Sequence, residues 1–145
     1  MDEYLGFKEV VLSDNEINSI FQNNMANTFG CLPNQYLIAK DGCDNNLELM
    51  RCTGDKMVKV PYKTINSRFL GKVKPRNTQQ QLAIDMLYNN DITVKVIAGK
   101  FGTGKDFLMC SAAIDLLEHN KFEKIVYIRN NIEVKNSKPI GYLPG

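Results

Sequence analysis

Apolar residues follow two regimes along this chain. Up to about residue 73 they come in short runs broken by turn formers; from residue 78 onward, helical spacing alternates with β-branched blocks. At the start, Phe7, Val10 and Leu12 suit a short strand. Ser13 and Glu16 then stand in capping-box register ahead of Ile17, Ile20 and Phe21, predicting a helix that fades near Asn24. Runs at 36–39, 47–49 and 57–60, separated by Asp41 with Gly42 and by Thr53, Gly54 and Asp55, predict a small antiparallel meander within residues 34–73. Pro75 marks a boundary, giving a small segment over 1–74 and a second unit over 75–145. There, Asn77 or Thr78 caps a helix carrying Leu82, Ile84, Met86 and Leu87. Residues 92–98 alternate and are β-branched, as a strand requires; Phe107, Leu108, Ala112, Leu116 and Leu117 mark one helical face between Lys105 and about Glu118; residues 125–128 are β-branched again. Strand, helix and strand make a βαβ unit with parallel pairing. The expected fold class is α/β.

Composition narrows the setting. The chain has 145 residues and a net charge of +2, which allows one ordinary domain and requires neither nucleic acid nor a membrane as partner. No run approaches the roughly 18 apolar residues of a membrane span and no signal segment opens the sequence, so a soluble, cytoplasmic protein is expected. Cys31, Cys43, Cys52 and Cys110 lack any paired metal spacing, and His119 is the sole histidine. Reduced thiols follow, several of them buried, and a zinc site does not. His119 suits the negative end of its helix.

The chemistry lies between the first β-branched block and the helix after it. Gly99, Gly104 and Lys105 fit the spacing of a phosphate-binding loop, Gly-x4-Gly-Lys, while Asp106 stands where that pattern has a Ser or Thr. The partial pattern arises by chance in about a few of every hundred chains of this length, so the flanking strand and helix carry the argument. Gly99, Gly102, Thr103 and Gly104 let backbone amides point at an anion, the helix N-terminus adds its positive end, and Lys105 reaches the outer phosphates. The alternative is a flexible strand-to-helix turn followed by an incidental lysine. Lys56, Lys59, Lys63, Arg68, Lys72, Lys74 and Arg76 make the preceding segment basic, which suits either RNA or single-stranded nucleic acid or a solvated, protected edge.

Together these residues resemble the PhoH family of phosphate-loop ATPases, related to half of a superfamily 1 helicase core. The similarity rests on Asn77, Gln80 and Ala83 as a Q motif, on Gly99 to Lys105 as the phosphate loop, and on Arg129 after the second strand. It also rests on residues 141–145, which resemble a Gly-Phe-Leu-Pro-Gly signature, and on residues 4–10, which resemble the segment linking a PIN nuclease domain to the ATPase. The resemblance implies a partial RecA-like core that binds ATP with Mg²⁺. Gln80 would read adenine, Gly102 to Lys105 would hold the phosphates with Lys105 as the catalytic lysine, and Arg129 would lie toward the γ-phosphate or a nucleic-acid strand. Asn130 replaces the family's proline, and the acidic motif that positions Mg²⁺ and water has no counterpart before residue 145.

Asp106 is the departure with the largest physical consequence. A hydroxyl binds Mg²⁺ without repelling phosphate; a carboxylate about 4 Å from one phosphate charge costs roughly 1 kcal/mol in water and about 4 at an effective dielectric near 20. Either Mg²⁺ sits between Asp106 and the nucleotide, or binding weakens. Two readings follow: an ATP-binding PhoH-like module with negligible turnover as this chain, or a non-catalytic module that binds RNA or a protein. Under a third, the chain is a fragment of a longer ATPase whose incomplete sheet self-associates.

Overall fold

Ser13 and Glu16 open the first helix as a reciprocal pair, the Ser13 hydroxyl accepting from Glu16 N–H at 3.2 Å and the Glu16 carboxylate accepting from Ser13 N–H at 3.2 Å. The computed structural model describes residues 4–100, 102 and 104–130. In chain order its elements are β1 (Phe7–Val11), α1 (Asp14–Gln22), β2 (Tyr36–Lys40), β3 (Asn46–Cys52), β4 (Met57–Lys59), β5 (Ile65–Ser67), β6 (Gly71–Val73), α2 (Thr78–Leu87) and α3 (Lys105–Glu118). Ile17 and Ile20 are the buried residues of α1, which ends at Gln22, close to the expected limit.

Strands β1 to β4 form one sheet in sequence order. The antiparallel meander predicted from residue 36 is present as β2, β3 and β4. Two features depart from it. Strand β1 joins as a parallel edge, Phe7 opposite Tyr36, with α1 in the connection between the pair. The segment after β4 leaves the sheet and folds into a separate hairpin of β5 and β6.

Strand β2 is buried on both faces, as expected of a strand covered on two sides. Leu37 and Ala39 face a cluster containing Leu12, Ile17, Ile20, Met50 and Met57. Tyr36 and Ile38 face the other way, against Val60 and Leu82 of α2. A third cluster joins Ile65 of the hairpin to Ile84 of α2 and to Leu108 and Ala112 of α3. Each fully buried aliphatic side chain stabilises the fold by about 1.5–3 kcal/mol, so these clusters set the placement of both helices. The second and third draw on residues from both sides of Pro75.

Polar ties complete the frame. Asn27 Nδ2 donates to Cys31 O at 2.8 Å and Gly54 O at 3.0 Å, fastening the loop after α1 to the β3–β4 turn. All four cysteines are free thiols, with Cys31 and Cys52 buried. His119 ends α3 as its C-cap, its Nδ1 2.8 Å from the Asp115 carbonyl and 2.8 Å from the Asp115 carboxylate.

The strands predicted at residues 92–98 and 125–128 are corrected by the structure. Neither segment has regular secondary structure, and the βαβ unit around the loop is absent among the described residues. A strand exists only through its ladder partner, and neither segment has one among the described residues. Val94 and Val96 are each 79% exposed and Ile128 is 86% exposed. The first segment is instead tied to α2 by Lys95, whose ammonium donates to Leu87 O at 2.7 Å. Burial there pulls the Lys95 pKa below its ordinary value. Among the described residues, no helix is long and apolar enough to cross a membrane.

Candidate phosphate-binding cleft

Helix α3 begins without a side-chain cap. Its N-cap is Gly104, in the left-handed region at φ 79°, whereas α1 and α2 are capped by Ser13 and Asn77. The first-turn amides of α3 therefore lack a capping side chain, and an anion is the natural complement. Gly102 is also left-handed, at φ 82°, and a residue with a Cβ at either position would be strained by about 1–2 kcal/mol. The unusual residues are therefore those that shape the loop.

Lys105 is half-buried and donates from Nζ to Gly99 O at 2.9 Å, closing the loop across its two ends. Gly99, Gly102, Gly104 and Lys105 all line one cleft of about 980 Å³. The opposite wall is residues 72–77 and the start of α2, including Gln79, Gln80 and Ala83. Lys72, Lys74, Arg76 and Lys105 supply four cations to the lining, and among the described residues no carboxylate joins them. At about 4 Å each cation attracts a phosphate charge by roughly 1 kcal/mol even in water, so the cleft as a whole favours a polyanion. Leu70, Ile97, Phe107 and Leu108 give it an apolar side as well.

The expected site residues are distributed unevenly. Gln80, Gly99, Gly102, Gly104 and Lys105 come together on the cleft. Asp106 is exposed in the first turn of α3 and is not part of the lining. Arg129 is exposed in an irregular stretch and is likewise outside the lining. Thr103 and the signature at 141–145 lie outside the described residues.

The basic segment divides by task. Lys59 lies 4.4 Å from the ring centre of Phe21, and Lys63 pairs with Asp85 at 3.5 Å, so both serve the frame. Lys72, Lys74 and Arg76 line the cleft. Their spacing of two residues in an extended segment was the signal in the sequence, because alternation puts them on one face and leaves Val73 to pack inward against the third cluster.

Two polar centres had no such signal. Asp85 is 4% exposed on α2 and collects the Tyr36 hydroxyl at 2.7 Å, Arg51 Nε at 3.2 Å and Lys63 Nζ at 3.5 Å. The Arg51 contact is an ion pair without an aligned hydrogen bond from Nε. Burial, reinforced by Asp85, pushes the Tyr36 phenol far above its usual range. Glu118, at the far end of α3, accepts from Arg68 N–H at 2.8 Å, Ser67 Oγ at 2.9 Å and Phe69 N–H at 3.2 Å, holding the β5–β6 turn. Those bonds, the one from Arg68 first, lower its pKa.

Comparison with known proteins identifies relatives of the chain. A family model described as "PhoH-like protein" matches residues 72–145, the half that carries the cleft. A protein named PhoH2 from Bacillus subtilis is 28% identical over 151 residues, covering 98% of this chain and 33% of that protein. Another PhoH2, from Thermobispora bispora, is 27% identical over 149 residues, covering 98% of this chain and 32% of its own length. A third, from Mycolicibacterium smegmatis, is 26% identical over 73 residues, or 50% of this chain and 17% of that protein. The chain thus spans about a third of the first two relatives. No solved structure matches it.

Proposed function

The chain belongs to the PhoH-like protein family, and from that premise we propose that its cleft binds the phosphates of a nucleoside triphosphate, ATP foremost. One observation carries the reading: Lys105 and the left-handed glycines at the uncapped start of α3 face a wall bearing three further cations, with no carboxylate in the described lining. In this reading Lys105 exchanges its bond to Gly99 O for the outer phosphates, and the α3 amides take the inner ones. Gln80 belongs to the same wall. Thr103 belongs to the phosphate-holding loop in this reading, and Arg129 would join in the nucleotide-bound state.

Mg²⁺ fits this lining only as a companion of the nucleotide. Among the described residues no group of three His, Cys, Asp or Glu side chains is placed to hold a metal. Asp106 is the carboxylate at the first turn of α3, and it would hold the ion together with phosphate oxygens. The ion would supply charge neutralisation at the phosphates. With Asp106 in place of a hydroxyl, binding without Mg²⁺ is weak and turnover by this chain is negligible. The partial RecA-like core belongs to the same proposal.

Calorimetric titration with ATP and ADP, with and without Mg²⁺, tests the reading. Binding by the parent that falls at least tenfold in Lys105→Ala supports it, since a hydrogen bond to a charged group contributes about 1.5–3 kcal/mol. Binding or hydrolysis indifferent to that change assigns the nucleotide elsewhere.

A second reading concerns partners. Val94, Val96, Val126 and Ile128 are all at least 70% exposed, and such a set favours a non-catalytic module that associates with itself or with another protein. Lys72, Lys74 and Arg76 favour a single-stranded nucleic acid such as RNA along the cleft rim. The four free thiols suit the cytoplasm. Sedimentation of the chain and of a Val94→Ser, Val96→Ser double variant decides on self-association, which the substitutions should abolish.

A further inference from the structure

Gln80 holds the third position of α2, where a glutamine commonly reaches back to the N-cap amide. Here it reaches one residue further. Asn77 Oδ1 accepts from Gln80 N–H at 2.9 Å, while Gln80 Oε1 accepts from Arg76 N–H at 2.8 Å. The other end of the carboxamide faces the loop, because a Cβ built on Gly104 would stand 3.5 Å from Gln80 Nε2. One planar group therefore bonds the backbone of Arg76 on one side and turns its nitrogen toward the last glycine of the loop on the other.

We infer that Gln80 is a positioning residue that fixes the separation of the Arg76 wall from the phosphate loop, and that it does not select the base. The inference rests on the reading of the cleft as a phosphate site. An amide is rigid, so fixing its oxygen on the Arg76 N–H fixes where its nitrogen lies. The oxygen that would accept from a base is held on the protein backbone by one of its two acceptor positions. The nitrogen that would donate to a base lies against Gly104, at the end of the cleft where phosphates belong. Gly104 adds only its left-handed backbone to this account, since a Cβ there would still clear the carboxamide at 3.5 Å. Acting through Arg76 and Gly104, Gln80 affects every phosphate ligand equally, whatever base it carries.

The test compares the parent with Gln80→Ala and Gln80→Glu by calorimetric titration with ATP, GTP and inorganic tripolyphosphate. Amide hydrogen exchange at Arg76 is followed on the same proteins without ligand. The expected result for Gln80→Ala is one common loss for all three ligands, about tenfold, which corresponds to roughly 1.4 kcal/mol. Exchange at Arg76 should also quicken in Gln80→Ala and stay slow in Gln80→Glu, which keeps the accepting oxygen. A loss confined to ATP, with tripolyphosphate unaffected, would overturn the inference in favour of adenine recognition. Unchanged exchange at Arg76 in Gln80→Ala would overturn it as well. If none of the three ligands binds the parent, the phosphate reading fails, and exchange at Arg76 still decides whether Gln80 holds that wall.

Discussion

Tyr36 donates its hydroxyl hydrogen to the carboxylate of Asp85 across 2.7 Å, joining the central strand of the sheet to the helix that carries Gln80. The bond lies inside the packed layer between them, where Asp85 is 4% exposed. A buried acceptor left without its donor costs about 1–3 kcal/mol. Tyr36→Phe should lower the unfolding free energy by about that amount, measured by urea denaturation.

The same pair gives an alkaline signature. Burial first, then Asp85, raises the Tyr36 pKa above its ordinary value of 10.0. A raised folded value means that the stabilisation is fully present below about pH 10 and is lost as pH rises toward the folded value. Thermal unfolding followed from pH 8 upward should show a steeper fall above pH 10 for the parent than for Tyr36→Phe.

Glu118 gives the opposite signature in acid. Its folded pKa lies below the ordinary 4.5, chiefly through the Arg68 amide. Its contribution is therefore present above about pH 4.5 and is lost as pH falls through the folded value. Glu118→Gln should unfold at a lower temperature than the parent near pH 6, with the gap closing in acid. Faster amide exchange at Arg68 and Phe69 in the variant would localise the effect to the β5–β6 turn.

The folding of α2, α3 and the hairpin depends on one shared cluster. Ile84 is fully buried there, in contact with Ile65 and Leu108. Ile84→Ala should cost about 2–5 kcal/mol, read from urea denaturation. Phosphate binding should weaken with it, because Leu108 lies on both the cluster and the cleft.

Asp106→Thr tests the carboxylate beside the loop. Asp106 is solvent-exposed, so the water-like figure of roughly 1 kcal/mol per charge pair applies, and the variant should bind ATP without Mg²⁺ about fivefold more tightly. An equal or weaker affinity in the same titration would mean that this carboxylate does not oppose the phosphates.

What could be read from the sequence was what neighbouring residues decide among themselves. Ser13 with Glu16 set the start of α1, and Asn77 the start of α2. The helical face from Lys105 to Glu118 needed no distant information either. Strands at 92–98 and 125–128 were misread because β-branched alternation reports fitness for a sheet, while a strand also needs a partner. The links of Asp85 to Tyr36 and Arg51, and of Glu118 to Arg68, span dozens of residues and leave no local pattern. The loop glycines and the two-residue spacing of Lys72, Lys74 and Arg76 were legible, but which way these cations face was not, since packing against the third cluster turns them toward Lys105.

Strand β2 is covered on both sides, with α1 beyond one face and α2 beyond the other. Moving its pairing by a single residue would exchange Leu37 and Ala39 with Tyr36 and Ile38, setting a phenol hydroxyl in the apolar layer and parting it from Asp85. The register of this one strand therefore acts as a checkpoint during assembly. Helix α2, and with it the wall opposite the loop, has its seat only on a correctly paired sheet, so the shape of the cleft depends on a pairing made far from it.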